Sequence, residues 1–224
     1  GEKDEAGVDI EAIIRQLGLP KEFPGEVINE AEDIPLEVTD SERNNELRQD
    51  LRDLPMVTID GADAKDLDDA VSIEKLGDDK VRLGIHIADV THYVQNGSSL
   101  NQEAAERGTS IYLVDRVIPM LPERLSNGIC SLNPQVERLS LSVFIDYRLD
   151  PLEILEYEIT PGLIKTNYRL TYDEVREILV NEDQNIIDKY SDFVPQLKLM
   201  NRLRKKLRRE RFAEGSIDFD FEEV

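Results

Sequence analysis

The sequence predicts an α+β fold, a mixed and mostly antiparallel sheet with flanking helices. Three observations carry this. Val81, Leu83, Ile85 and Ile87 alternate with Arg82, Gly84, His86 and Ala88, and residues 139–147 alternate again through Leu139, Leu141, Val143 and Ile145. A period of two is that of a strand, and it puts one face in a core. The last quarter instead has helical spacing, with Val194, Leu197, Met200, Leu203 and Leu207 on one stripe. The 224 residues, 40% hydrophobic and 33% charged, suffice for a real core.

Taken in order, residues 9–18 predict a short helix with Ile10, Ile13, Ile14 and Leu17 on one face and Gly18 as its stop. A second helix follows Pro24. Residues 35–55 are polar and weakly periodic, and read as a linker or arm. Met56–Asp60 is a strand. Ala70–Leu76 and Lys80–Ala88 form a hairpin around Gly77-Asp78-Asp79. Ser99 with Gln102 makes a capping box for a helix ending near Gly108. Leu149-Asp150-Pro151 turns the 139–147 strand into a returning strand over 154–164. Thr171 with Glu174 caps a helix, and a longer one begins near Asp192 and ends at Gly215. Residues 216–221 (SIDFDF) alternate as a final strand.

A single cysteine, Cys130, excludes an intramolecular disulfide and favours a reducing compartment. No apolar run approaches the ~20 residues of a membrane span. The start, GEKDEAGVD, lacks signal-peptide character. The expectation is a soluble, cytoplasmic protein with no membrane contact. The net charge of −21 argues by itself against a nucleic-acid groove, which wants a basic footprint. The charge is uneven, however: RLRKKLRRER (202–211) holds seven basic residues and one acidic. That segment reads as a solvated helix face rather than a main groove.

Residues 58–70, TIDGADAKDLDDA, pack Asp60, Asp63, Asp66, Asp68 and Asp69 around a single Lys65. Carboxylates this close repel one another, and share protons unless a counter-charge is supplied. Hard divalent cations supply it, and two of them roughly 4 Å apart could clamp a phosphodiester. An acidic surface turn is the plainer alternative. A calcium loop is another, but the spacing does not fit an EF-hand. The apolar Ile59, Leu67, Ala70, Val71 and Ile73 around the cluster place it at a core edge. His86 and His92, six apart, have no zinc spacing.

TIDGADAKDLDDAV (58–71) resembles the catalytic signature of the RNB family of 3′→5′ exoribonucleases. LGIHIADVTHY (83–93), AERGTSIYLVDRVIPMLP (105–122), LSNGICSL (125–132) and NYRLTYDEV (167–175) resemble further segments in the family's order. Residues 7–27 and GSIDFDFEE (215–223) are similar to the ribonuclease R branch rather than the ribonuclease II branch. The resemblance implies Mg²⁺-dependent hydrolysis of single-stranded RNA from its 3′ end to nucleoside 5′-monophosphates, with Mn²⁺ as a possible substitute. It assigns the four family carboxylates, catalytic and metal-binding, to Asp60, Asp66, Asp68 and Asp69, with Asp68 the most critical. Asp63 is an extra acid. It places Tyr112, Tyr172 and Phe219 along the RNA path.

Nothing in the sequence matches the family's later arginine-rich segment. The cold-shock and S1 domains of the branch, expected in a parent chain, are absent. The chain is therefore expected to be residues 1–54, a helical segment and linker, followed by residues 55–224, the N-terminal portion of an RNB catalytic domain. The runner-up is a non-catalytic RNB-like module that binds RNA or acts as a scaffold. A third is an acidic structural domain without a ligand.

Overall fold

The computed structural model describes residues 8–217. Helices α1 (Val8–Leu17), α2 (Gly25–Asp33) and α3 (Asp40–Arg43) come first, followed by the short strand β1 (Gln49–Asp50). Strands β2 (Met56–Asp60), β3 (Asp69–Lys75) and β4 (Lys80–Ala88) lead to α4 (Val90–Tyr93) and α5 (Ser99–Arg107). A two-stranded ribbon, β5 (Ile111–Tyr112) and β6 (Val117–Ile118), precedes a π-helical turn at Arg124–Ile129. The long strands β7 (Glu137–Leu149) and β8 (Leu152–Lys165) and the short β9 (Tyr168–Thr171) complete the strands. The chain then becomes helical in α6 (Tyr172–Arg176), α7 (Gln184–Lys189) and α8 (Val194–Ala213).

Seven strands form one sheet in the order β1-β8-β7-β4-β3-β2-β9. Only the two outer pairs, β1 with β8 and β2 with β9, are parallel. The sheet is mixed and mostly antiparallel, as the alternation predicts. The hairpin β3–β4 and the β7–β8 return both form, the latter through Asp150-Pro151, whose peptide bond is cis.

Several expectations shift. Residues 35–55 are no free linker. They carry α3 and β1, and Val38 and Leu51 enter the main core. Thr39 and Glu42 there form a capping box, a signal present in the sequence as T-D-S-E. The cap of α5 is Ser98, which accepts from Asn101 N; Gln102 instead donates to Gly97 O. Of the α1 face only Ile14 is buried, while Ile13 and Leu17 are exposed. Phe219, and residues 218–221 of the expected last strand, lie outside the described residues.

The largest shift concerns β4. Its Ile87 is exposed, whereas His86, Ser72, Ser140 and Ser142 on the opposite face are fully buried. These polar groups satisfy one another. His86 Nε2 pairs with Ser72 Oγ at 3.0 Å, His86 Nδ1 with Ser142 Oγ at 2.8 Å, and Ser142 Oγ with Ser140 Oγ at 3.0 Å. Complete pairing makes burial of such a cluster tolerable. Gly84 makes it sterically possible: a Cβ there would collide with Ser72 Oγ and stand 2.8 Å from His86 Nε2. Gly84→Ala is expected to destabilise the fold by about 1–3 kcal/mol through overpacking, read as a lower urea midpoint; an unchanged midpoint would mean the ladder can move aside.

Helices α6–α8 cover part of the other face. Leu197 and Leu203 of α8 are buried against it, with Met200 and Leu207 packed alongside, as the stripe predicts. Lys198, Arg202, Lys205 and Arg209 are exposed on α8, so the basic segment is a solvated helix face. Among the described residues no helix is long and apolar enough to cross a membrane.

Candidate active site

β2 and β3 are antiparallel neighbours joined by residues 61–68, so Asp60 at the end of β2 and Asp69 at the start of β3 fall at the same end of the sheet. Asp69 stands opposite Ile87 of β4, and Asp60 opposite Thr171 of β9. The connecting loop is held through its backbone. Ala64 N donates to Gly61 O at 3.2 Å, and Ala88 N to Asp68 O at 2.9 Å. Buried Ser131 works both ways: its Oγ accepts from Leu67 N at 3.1 Å and donates to Lys65 O at 2.7 Å. Leu132 N donates to Leu67 O at 2.8 Å. Leu67, fully buried between Asp66 and Asp68, anchors the loop in the core. Arg169 of β9 donates through one Nη2 to Gly61 O at 3.2 Å and Ala62 O at 2.7 Å, clamping the turn.

The carboxylates feel one another. Burial raises the pKa of Asp60, and the charges of Asp69 and Asp66 add to this, with Arg169 opposing. Burial is also the leading cause at Asp68, followed by Asp66, Asp69 and Asp60. Asp68 is exposed by surface area, yet its carboxyl is crowded enough by protein atoms to lose solvation. Asp63 and Lys65 are exposed, and neither contributes to these shifts. Asp60 Oδ2 is buried without a hydrogen-bond donor, and so is Arg169 Nε without an acceptor. The four motif carboxylates therefore share one field. Among the described residues, however, no three His, Cys, Asp or Glu side chains are placed together as a ready ligand set.

Tyr112, exposed on β5, donates its hydroxyl to Asp66 Oδ2 at 2.6 Å. That bond, followed by partial burial, raises the phenol to about 12. Tyr172 follows the capping residue Thr171, hence sits at the carboxylate end of β9, and is exposed. His86 belongs to the buried ladder. His92 Nε2 bonds Glu42 Oε1 at 2.6 Å, away from the aspartates. Arg169 and Ser131 carry no mark of their role in the sequence. Both lie inside the segments NYRLTYDEV and LSNGICSL, but their partners are backbone carbonyls and amides, which no side-chain pattern advertises.

The RNB domain model matches residues 48–224, well over half of the chain and including the whole aspartate loop. The chain belongs to the RNB family. Among RNB relatives, it is 46% identical over 229 residues to ribonuclease R of Thermotoga maritima, covering 100% of this chain and 31% of that protein. It is 44% identical over 220 residues to ribonuclease R 1 of Lactococcus lactis, covering 98% and 26%. Its fold matches Mycoplasma genitalium RNase R in complex with ribose methylated single-stranded RNA, with a TM-score of 0.86 and 32% identity, over 100% of this chain and 34% of that one. This RNB chain thus spans about a quarter to a third of the length of the curated relatives it matches.

Proposed function

We propose that this chain is the metal-bearing part of a hydrolytic 3′→5′ exoribonuclease of the ribonuclease R type, which releases nucleoside 5′-monophosphates from single-stranded RNA. The observation that carries it is the meeting of Asp60, Asp66, Asp68 and Asp69 in one electrostatic field at a sheet end, with Asp60 and Asp68 raised, inside an RNB match. The donor chemistry fits Mg²⁺ or Mn²⁺. An unpartnered buried carboxylate oxygen and mutual repulsion are both relieved by a hard cation. Asp60, Asp66, Asp68 and Asp69 would hold it. When bound, the ion acts as a Lewis acid at the phosphoryl group.

The chain's own residues do the rest. Tyr112 orients Asp66 through its hydroxyl. Tyr172 offers an exposed ring at the same sheet end, and Phe219 a further one in sequence; base stacking on such rings tolerates any base. Arg169 fixes the turn that follows Asp60. A cytoplasmic setting and companion cold-shock and S1 domains belong to the same proposal. The test is a longer protein in which residues 1–224 replace the matched part of the Thermotoga maritima enzyme, given 5′-labelled RNA with free or blocked 3′ ends. Mononucleotide release that needs the free end supports the proposal; cleavage indifferent to it, or none, overturns it.

The alternative reading is a non-catalytic RNA-binding or scaffolding module. Metal binding separates the two. With Mg²⁺ at ten times its dissociation constant, the 224-residue chain is expected to gain about 1.4 kcal/mol, a melting shift of about 3–5 °C for a chain this long. The gain grows with pH, because raised carboxyls must lose protons to ligate. No shift in the parent, and none in Asp68→Asn, would favour the module.

A further inference from the structure

The solvated face of α8 gathers positive charge without matching it. Lys198, Arg202, Lys205 and Arg209 recur at i, i+4, i+7 and i+11, the spacing of one helix face, and extend over about 16 Å at 1.5 Å per residue. With Asn201 and Lys206 they line one shallow groove. Among the described residues none of the four has a carboxylate partner, and Lys206 has only Asp150 Oδ2 at 3.9 Å. Elsewhere the arginines are matched: Arg43 and Arg52 with Glu137, Arg82 with Asp146, Arg107 with Glu103. On α8, Lys198 with Arg202, Arg202 with Lys206 and Lys205 with Arg209 are like charges at i, i+4, which repel. The chain has 48 acidic residues against 27 basic, so acids to relieve that repulsion are plentiful. The groove also has no apolar or aromatic lining. Protein interfaces are centred on such anchors. A membrane-surface helix needs a free apolar face, and the apolar Leu197 and Leu203 of α8 are already buried against the sheet.

We propose that this face of α8 is a second RNA site, which holds the phosphate backbone by charge and lies apart from the carboxylates. It rests on the reading of the chain as part of an RNA-degrading enzyme, which brings the polyanion. Arg202 and Arg209 offer the planar fork that suits a phosphate, and Lys198 and Lys205 add point charges. With no ring in the groove no base is stacked, so the site is indifferent to sequence. Its place on the sheet sets its role. Leu203 shares a core cluster with Val81, and Val81 stands opposite Lys75, the last residue of β3. Asp69 begins the same strand, six residues or about 20 Å away. At 3.4 Å per stacked nucleotide that is about six nucleotides. The site therefore holds the body of an RNA and not the end being processed.

Binding without cleavage tests it. The 224-residue chain, in chelator, is titrated into fluorescent oligo(A) of about 30 nucleotides at about 50 and 200 mM salt, and anisotropy is read. Four neutralised phosphates on a single strand give a log–log salt slope of about −3, so affinity is expected to fall about 50-fold over that range. K198Q/R202Q/K205Q/R209Q is expected to bind at least about tenfold more weakly at the lower salt, with a slope near zero. The replaced side chains are exposed and glutamine is a good helix former, so the melting temperature is expected to hold. R202Q/K205Q, a milder change, is expected to lose about half of the slope. Parental affinity and slope in both variants would overturn the inference, as would no RNA binding by the parent at the lower salt. Tighter binding of poly(Glu) than of oligo(A) would overturn it too, by making the partner an acidic protein. The readout needs neither metal nor cleavage. A chimera with the Thermotoga maritima remainder that releases mononucleotides, while both variants bind RNA as the parent does, sinks the α8 site alone. An inactive chimera beside α8-dependent binding sinks only the exoribonuclease reading.

Discussion

Asp68→Asn, placed in a full-length ribonuclease R-type protein carrying this segment, is expected to lower RNA cleavage by at least about 10²–10³-fold, the scale of losing one preorganised charge-stabilising group. RNA affinity is expected to stay nearly unchanged, because the substitution is isosteric and removes almost no binding surface. The metal-free 224-residue chain should respond in the opposite direction. Burial and then Asp66, Asp69 and Asp60 raise the pKa of Asp68, so its ionised form is disfavoured in the fold. Asparagine removes that penalty, and the melting temperature without metal is expected to rise. Loss of activity with gain of stability is the signature of a residue kept for chemistry. Single-turnover cleavage and thermal melts in chelator read the two effects. Parental cleavage rates in Asp68→Asn would remove Asp68 from the reaction; a lower melting temperature would mean its carboxylate is a structural partner.

Much of this was legible in the sequence, and the failures have causes. The period-two strands, the hairpin about Gly77-Asp78-Asp79 and the Thr171–Glu174 box are local signals, and all three are present. The aspartate loop was readable because charge repulsion makes such a run costly without a purpose. Two things were not readable. β1 is two residues long and is a strand only because β8 is there to pair with it. The buried face of β4 was also hidden. A binary pattern scores serine, glycine and histidine as solvent-facing, yet Ser72, His86, Ser140 and Ser142 share the covered side because their polar atoms find one another, and Gly84 sits among them because it has no Cβ to collide with them. Of the alternating apolar residues, Val81 and Leu139 are buried and Leu83 and Ile145 pack against a core, while Ile87 and Leu141 are left open.

The buried ladder has a consequence in acid. His86 is fully buried, and burial lowers its pKa from 6.5 to about 4. Between these values the unfolded chain takes up a proton that the folded chain refuses. Stability is therefore full above pH 6.5 and falls as pH drops toward 4. The loss is expected to be about 2 kcal/mol by pH 5 and about 3 kcal/mol by pH 4. The carboxylates held low by partners, such as Asp50 with Arg52 and Glu174 with Tyr190 and Lys189, lose their stabilisation only as pH falls below their unfolded range, near 4. Asp60 and Asp68, being raised, act with the opposite sign. The window from pH 7 to 5 thus belongs chiefly to His86. His86→Gln keeps a neutral side chain with a hydrogen-bonding end. It is expected to be less stable than the parent at pH 7.5 but to lose almost nothing further on going to pH 5. Urea midpoints at the two pH values check this. Parallel losses in parent and variant would show that His86 is protonated in the folded chain, and that the serine ladder accommodates the charge.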